Sequence, residues 1–122
     1  MMSDVIPAAL ERPQPMAFLS GPSFAKDLLQ EMPTGFSVAS HDDALALQVK
    51  DLFSNRHIRL YPTHDVIGVE VGGALKNVFA IAAGVVEGLG LGANTTAMLV
   101  TLGCREMNRL AQAMGSQPDT LK

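Results

Sequence analysis

A chain of 122 residues, 48% hydrophobic and 17% charged, has room for one domain with a modest core and is too apolar for general disorder. Nine Lys+Arg against twelve Asp+Glu leave a net charge of -3, which argues against a basic nucleic-acid groove or a polybasic membrane patch. The single cysteine, Cys104, excludes an intrachain disulfide and a zinc site built from Cys pairs, and it suits a reducing compartment.

A compact monomer of 12.9 kDa should expose roughly 6,000 Å². No basic stretch precedes Val5-Ile6-Pro7-Ala8-Ala9-Leu10, so no signal peptide is read there, and Arg and Ser are too scarce for a transit segment. The longest uncharged apolar run, Val78 to Val86, is too short to span a bilayer.

Taken in chain order, residues 1–15 read as a helical turn or irregular lead-in closed by Pro13 and Pro15. Met16-Ala17-Phe18-Leu19 predicts a short buried strand that stops at the turn Ser20-Gly21-Pro22-Ser23. Ala25 to Glu31 is helix-like and Pro33 ends it. Gly35 to Ser40 alternates as a strand. Ser40 or Asp42 can then cap a helix carrying Ala44, Leu45, Leu47, Val49, Leu52 and Phe53 at helical spacing. His57 to Tyr61 is a further strand before Pro62.

Beyond Asp65 the strand signal disappears. Thr63 or Asp65 can cap a long helix running through Val66, Val69, Leu75, Val78, Phe79 and Val86, and the run Gly88-Leu89-Gly90-Leu91-Gly92 breaks it. Asn94 or Thr95 opens a second helix, Gly115 serves as its C-cap, and Gln117 to Lys122 reads as a frayed tail. The expected fold class is therefore α/β followed by all-α. Two long Ala/Gly-rich helices after a short α/β piece look like the start of a helical domain.

Two stretches could carry chemistry. Lys76-Asn77 lies within Gly73-Ala74-Leu75-Lys76-Asn77-Val78-Phe79-Ala80, with Gly72 and Gly73 on the same side of the helix. A lysine facing a cleft and partly desolvated has a lowered pKa and can take or give a proton, and Asn77 could fix an oxygen beside it. The plain alternative is a snorkelling surface lysine. Ser20-Gly21-Pro22-Ser23-Phe24-Ala25 follows a strand and precedes a helix, which would set it at the carboxyl-end crevice of a sheet; equally, Ser23 could simply be an N-cap.

Other features point nowhere in particular. The Gly88/Gly90/Gly92 spacing is not G-x-G-x-x-G and follows no strand, so it reads as an interhelical turn. His41, His57 and His64 are scattered, and no metal site is expected. Glu70 is six residues from Lys76 and cannot face it on one helix. Cys104 reads as packing rather than as a nucleophile.

Three blocks carry a family likeness: Leu19-Ser20-Gly21-Pro22-Ser23-Phe24-Ala25, Asp65-Val66-Ile67-Gly68-Val69-Glu70-Val71-Gly72-Gly73-Ala74-Leu75-Lys76-Asn77, and Gly88-Leu89-Gly90-Leu91-Gly92-Ala93-Asn94. In order and spacing they resemble NAD(P)-dependent glycerol-3-phosphate dehydrogenase, and Glu106-Met107-Asn108-Arg109-Leu110 extends the likeness. The resemblance implies that residues 1–62 are the C-terminal portion of a Rossmann-like NAD(P)-binding domain and 63–122 the start of a helical substrate-binding domain. It implies NAD or NADP as cofactor, and interconversion of sn-glycerol 3-phosphate and dihydroxyacetone phosphate in glycerolipid precursor synthesis.

The resemblance also assigns roles: Lys76 exchanges the proton, Asn77 helps hold the reacting oxygen, Gly21 and Ser23 contact substrate with Lys76, and Ala25 touches the dinucleotide. Its expected partners are a small phosphorylated polyol or ketone and, in a full-length enzyme, a second copy as a homodimer, with no nucleic acid and no membrane span. Cytoplasm is the default compartment, with a plastid open. The Gly-rich nucleotide fingerprint, an upstream substrate lysine and a downstream Gly-Leu-Gly-Asp motif with its Arg-Asn pair are not among these residues. The chain thus looks like the middle third of such an enzyme and is expected to be inactive alone. The competing readings are a sister two-domain hydroxy-acid dehydrogenase, a non-catalytic truncated product or interaction module, and a chain completed by another polypeptide.

Overall fold

The apolar runs of the first half become a small three-stranded sheet with helices between its strands. The computed structural model describes residues 1–118 and 120. In order it contains α1 (Met2–Ala9), β1 (Phe18–Ser20), α2 (Ala25–Leu29), β2 (Thr34–Ala39), α3 (Asp43–Phe53), β3 (Ile58–Thr63), α4 (Val66–Gly88) and α5 (Gly92–Ala113). This is the expected α/β piece followed by helices.

Strand order is β1-β2-β3. β2 and β3 are parallel, with Thr34 opposite Ile58 and Ala39 opposite Thr63, and α3 is their crossover. β1 runs antiparallel to β2, with Phe18 opposite Ala39 and Ser20 opposite Ser37. That direction corrects one expectation. Ser20-Gly21 leaves the sheet beside the amino-terminal end of β2, near Gly35, and not at a carboxyl-end crevice; a Cβ on Gly21 would lie 2.7 Å from the Gly35 carbonyl oxygen.

Between the two candidate caps of α3, Asp42 takes the role, accepting from the Ala44 and Leu45 amides at 2.9 and 3.2 Å. Ser40 instead donates to the Met16 carbonyl oxygen at 2.8 Å, tying the chain ahead of β1 to the end of β2. Asp65, not Thr63, caps α4 through the Gly68 amide at 2.8 Å.

Several boundaries differ from those expected. The lead-in forms a helix, α1, with Pro7 inside it. α2 stops at Leu29, and Glu31 takes a left-handed φ of 56° before the chain turns into β2. β3 continues through Pro62 to Thr63, which an edge strand tolerates because it has a ladder on one side only. α5 begins at Gly92, since Gly90 (φ 66°) and Gly92 (φ 82°) complete the reversal.

The core lies where α4 crosses the sheet: Ala39, Val66 and Val69 cluster with Phe18. Val38, Leu60 and Ala46 fill the other face under α3. α4 and α5 pack on each other through Gly103 and Phe79. The accessible surface is 8460 Å², well above the roughly 6,000 Å² of a compact monomer. The outer half of α4 and its C-cap contribute to this surplus, since Val78, Ile81, Val85 and the capping Leu89 are each more than half exposed. α4, at 23 residues with a mean hydropathy of 1.5, is long and apolar enough to cross a membrane by length and composition, although its first turns pack on the sheet.

Candidate active site

The lysine helix owes its placement to its first two turns. Val66 and Val69 anchor α4 on β1 and β2, so the next turns run along β1 towards Ser20. Gly73 faces Ser20, and a Cβ there would come within 2.9 Å of the Ser20 Oγ. The missing side chain lets helix and strand end approach. One turn on, Lys76 Nζ donates to the Gly21 carbonyl oxygen at 3.5 Å. Two of the blocks singled out in the sequence, 55 residues apart, therefore meet.

The other expected site residues surround this contact without being tied to it. Gly21 is half-buried, while Ser23, Ala25, Lys76 and Asn77 are exposed. The partial desolvation attached to Lys76 as a condition is not met in this structure. Ser23 does not cap α2: the N-cap is Phe24 and no side chain caps it. Ser23 is thereby left open to solvent on the loop into α2.

A cavity of about 620 Å³ lies alongside, lined by Leu19, Ser20, Gly73, Leu75, Leu110 and Met114 among others. Its walls are mostly apolar, and neither Lys76 nor Asn77 lines it. Glu70 is turned away from the lysine, accepting from the Ser3 amide at 2.9 Å and from its hydroxyl. Cys104, expected to pack, is exposed. His57 and His64 are engaged by carboxylates, Glu31 at 3.2 Å and Asp43 at 2.7 Å.

Sequence reasoning missed the weight of Asp65. Beyond its cap to Gly68, its Oδ2 accepts from the Ser116 hydroxyl at 2.6 Å, the Gln117 amide at 2.8 Å and the Thr120 hydroxyl. Burial pushes this carboxyl up, but the hydrogen bonds, led by Ser116, together hold it below the usual carboxylate range. The expected frayed tail is thus in part a bonded segment; Asp119, Leu121 and Lys122 lie outside the described residues. The available signals were Gly68, too crowded for any side chain, and Gly115, whose φ of 101° turns the chain back after α5.

The last strand, β3, passes directly into the lysine-bearing helix α4. Two family models match, NAD-dependent glycerol-3-phosphate dehydrogenase N-terminus over residues 1–46 and C-terminus over residues 65–122. The chain belongs to the NAD-dependent glycerol-3-phosphate dehydrogenase family, and the hydroxy-acid sister design is set aside.

Among relatives, it is 51% identical over 122 residues to the chloroplastic glycerol-3-phosphate dehydrogenase (NAD+) 2 of Arabidopsis thaliana, covering 99% of this chain and 29% of that protein. It is 58% identical over 102 residues to the glycerol-3-phosphate dehydrogenase (NAD(P)+) of Geobacter metallireducens, covering 84% and 30%. The solved glycerol-3-phosphate dehydrogenase of Coxiella burnetii superposes with a TM-score of 0.90 at 38% identity over 98% of this chain and 37% of that one. That of Saccharomyces cerevisiae gives 0.84 at 31% identity, over 98% and 36%. The chain spans about three-tenths of the length of these two curated relatives.

Proposed function

We propose that the protein interconverts sn-glycerol 3-phosphate and dihydroxyacetone phosphate, with Lys76 moving the proton at the reacting oxygen and Asn77 helping to hold that oxygen. The observation that carries this reading is the approach of Lys76 Nζ to the Gly21 carbonyl, which brings both family motifs to one place. Gly21 and Ser23 are the substrate-contacting positions. Residues 1–62 then belong to the nucleotide side of the enzyme and 63–122 to the substrate side.

The chemistry follows from the groups present. As hydride leaves the carbinol carbon, the hydroxyl must lose its proton, and an amine at Lys76 accepts it. In the ketone-reducing direction the ammonium returns the proton and stabilises negative charge building on the oxygen. Ser23 and Ala25, exposed beside Gly21, give the ligands a polar hydroxyl and a small methyl at an open loop. Ala25 is the dinucleotide contact, and the nicotinamide of NAD or NADP supplies the hydride acceptor when bound. Cytoplasm is the default compartment of this reading, and a plastid fits the chloroplastic relative of Arabidopsis thaliana. A homodimer belongs to this reading of the full-length enzyme.

The test is a chimera in which this chain replaces the corresponding stretch of the Geobacter metallireducens relative. We expect reduction of dihydroxyacetone phosphate linked to NADH or NADPH oxidation, abolished by Lys76→Ala. Full activity in the Lys76→Ala chimera would sink the reading. The 122 residues assayed alone are expected to turn over little or nothing, because they carry no G-x-G-x-x-G loop to seat a pyrophosphate.

The bare outer half of α4 favours a second reading, a non-catalytic interaction module. Tight binding of a protein partner, with no change in melting on adding dinucleotide or glycerol 3-phosphate, would decide for it.

A further inference from the structure

Asp65 stands at the open end of the α4–α5 hairpin, opposite the Gly88–Gly92 reversal. Its two carboxylate oxygens do different work. Oδ1 accepts from the Gly68 amide and caps α4. Oδ2 accepts the three bonds from Ser116, Gln117 and Thr120, all on the segment that leaves α5. Asp65 is 5% exposed and Ser116 8%, so the Ser116 bond is made away from solvent, where an unmade one is costly, and those from Gln117 and Thr120 are part-buried.

The surrounding backbone is shaped for this contact. Gly115, in the left-handed region, lets the Ser116 amide bond back to the Ala111 carbonyl at 2.9 Å and aims the chain at Asp65. At Gly68 a Cβ would lie 2.5 Å from Asp65 Oδ2, 2.6 Å from Ser116 Oγ and 2.8 Å from a Thr120 methyl. Any side chain at residue 68 would hold the segment off.

We propose that Asp65 is a positioning residue for the reaction: it clasps Ser116, Gln117 and Thr120 to the first turn of the lysine helix, so that α4 and the chain leaving α5 are held as one body. The proposal rests on the reading of Lys76 as the proton-transfer group. Lys76 lies eleven residues beyond Asp65, about 16 Å along the helix axis. A tilt of α4 at its clasped end is carried along the rod to the amine. A displacement of about 1 Å at a reacting group costs up to about a hundredfold in rate.

Asp65→Asn separates the two roles, because asparagine caps a helix as well as aspartate does while its amide nitrogen cannot accept the bonds made to Oδ2. Amide hydrogen exchange in the full 122-residue chain should show Gln117 exchanging about tenfold faster, with Gly68 unchanged. In the chimera, kcat should fall about tenfold or more, while KM for dihydroxyacetone phosphate stays nearly constant. The pair Ser116→Ala with Thr120→Val, which leaves Asp65 in place, should move both readouts the same way by less.

Unchanged exchange at Gln117 in Asp65→Asn would overturn the clasp. Faster exchange with kcat unchanged would overturn the positioning role. Full activity in the Lys76→Ala chimera would instead remove the reading on which the role rests, leaving the Gln117 result to stand as a statement about folding alone.

Discussion

The ring of Phe79 lies across Gly103 so closely that a Cβ on that glycine would sit 2.5 Å from the ring Cδ1 and 3.0 Å from Cγ. Contact reaches the base of the ring, so rotating the ring about its own axis cannot relieve it. Gly103→Ala should therefore destabilise the α4–α5 pair. Overpacking costs about 1–3 kcal/mol, and the better helix propensity of alanine returns up to about 1 kcal/mol. A urea melt of the chain should show a lower midpoint, whereas Gly84→Ala, with nothing within 4 Å among the described residues, should melt no lower than the parent.

At the strand–helix junction, Gly21→Ala directs its methyl at the Gly35 carbonyl. Backbone cannot rotate aside as a side chain can. The expected result is a loss of about 1–3 kcal/mol together with a weakened β1–β2 edge, read as faster amide exchange at Ser20. Gly73→Ala meets only the Ser20 hydroxyl and should cost less.

Acid should loosen the clasp. Hydrogen bonding holds the Asp65 carboxyl below its usual value in the folded chain, so its contribution to stability is complete above the ordinary carboxylate value. That contribution fades as the pH falls from there through the lowered one. Asp65→Asn should be less stable near neutrality by about 1–3 kcal/mol, and the gap should close in that acidic window. Equilibrium unfolding at a series of pH values measures it; a gap that stayed constant down to the lowest pH would contradict the assignment.

The apolar stripe of α4 gives a solution prediction. Val78, Ile81 and Val85 recur at helical spacing and are each more than half exposed. Apolar patches of this kind promote association. The isolated chain should self-associate as its concentration rises in sedimentation runs. Ile81→Lys should suppress this with a stability change within about 0.5 kcal/mol, as for other exposed positions.

What could be read in the sequence was what neighbouring residues decide. The cap sites ahead of α3 and α4, narrowed to Ser40 or Asp42 and to Thr63 or Asp65, the helical spacing of α3 and α4 and the glycine reversal at residues 88–92 are local, and the structure has them. What could not be read depends on distant chain. Phe18–Ser20 looks like any short strand, and only pairing with Thr34–Ala39 fixes its direction, which moved Gly21 to the other end of the sheet. Pro62 ends a strand locally but is accommodated because β3 lies at an edge. Ser116, Gln117 and Thr120 form a polar tail until Asp65, 51 to 55 residues earlier, supplies an acceptor. The Lys76–Asn77 pair stood out as polar residues among Gly, Ala and Val, yet its proximity to Gly21 is likewise a product of the fold.

α4 has the mechanics of a lever. Its first turns, Val66 to Val71, are gripped by the sheet and by Asp65, and its far half leaves the sheet with α5 packed along one side, Phe79 against Gly103. Lys76 sits about 15 Å from Val66 and Gly88 about 33 Å from it, so a pivot at the gripped end moves the tip roughly twice as far as the amine. Residue 76 is thus near the quiet end of the beam. Whatever seats against Ile81 and Val85 acts on the longer arm, and its motion reaches the lysine scaled down.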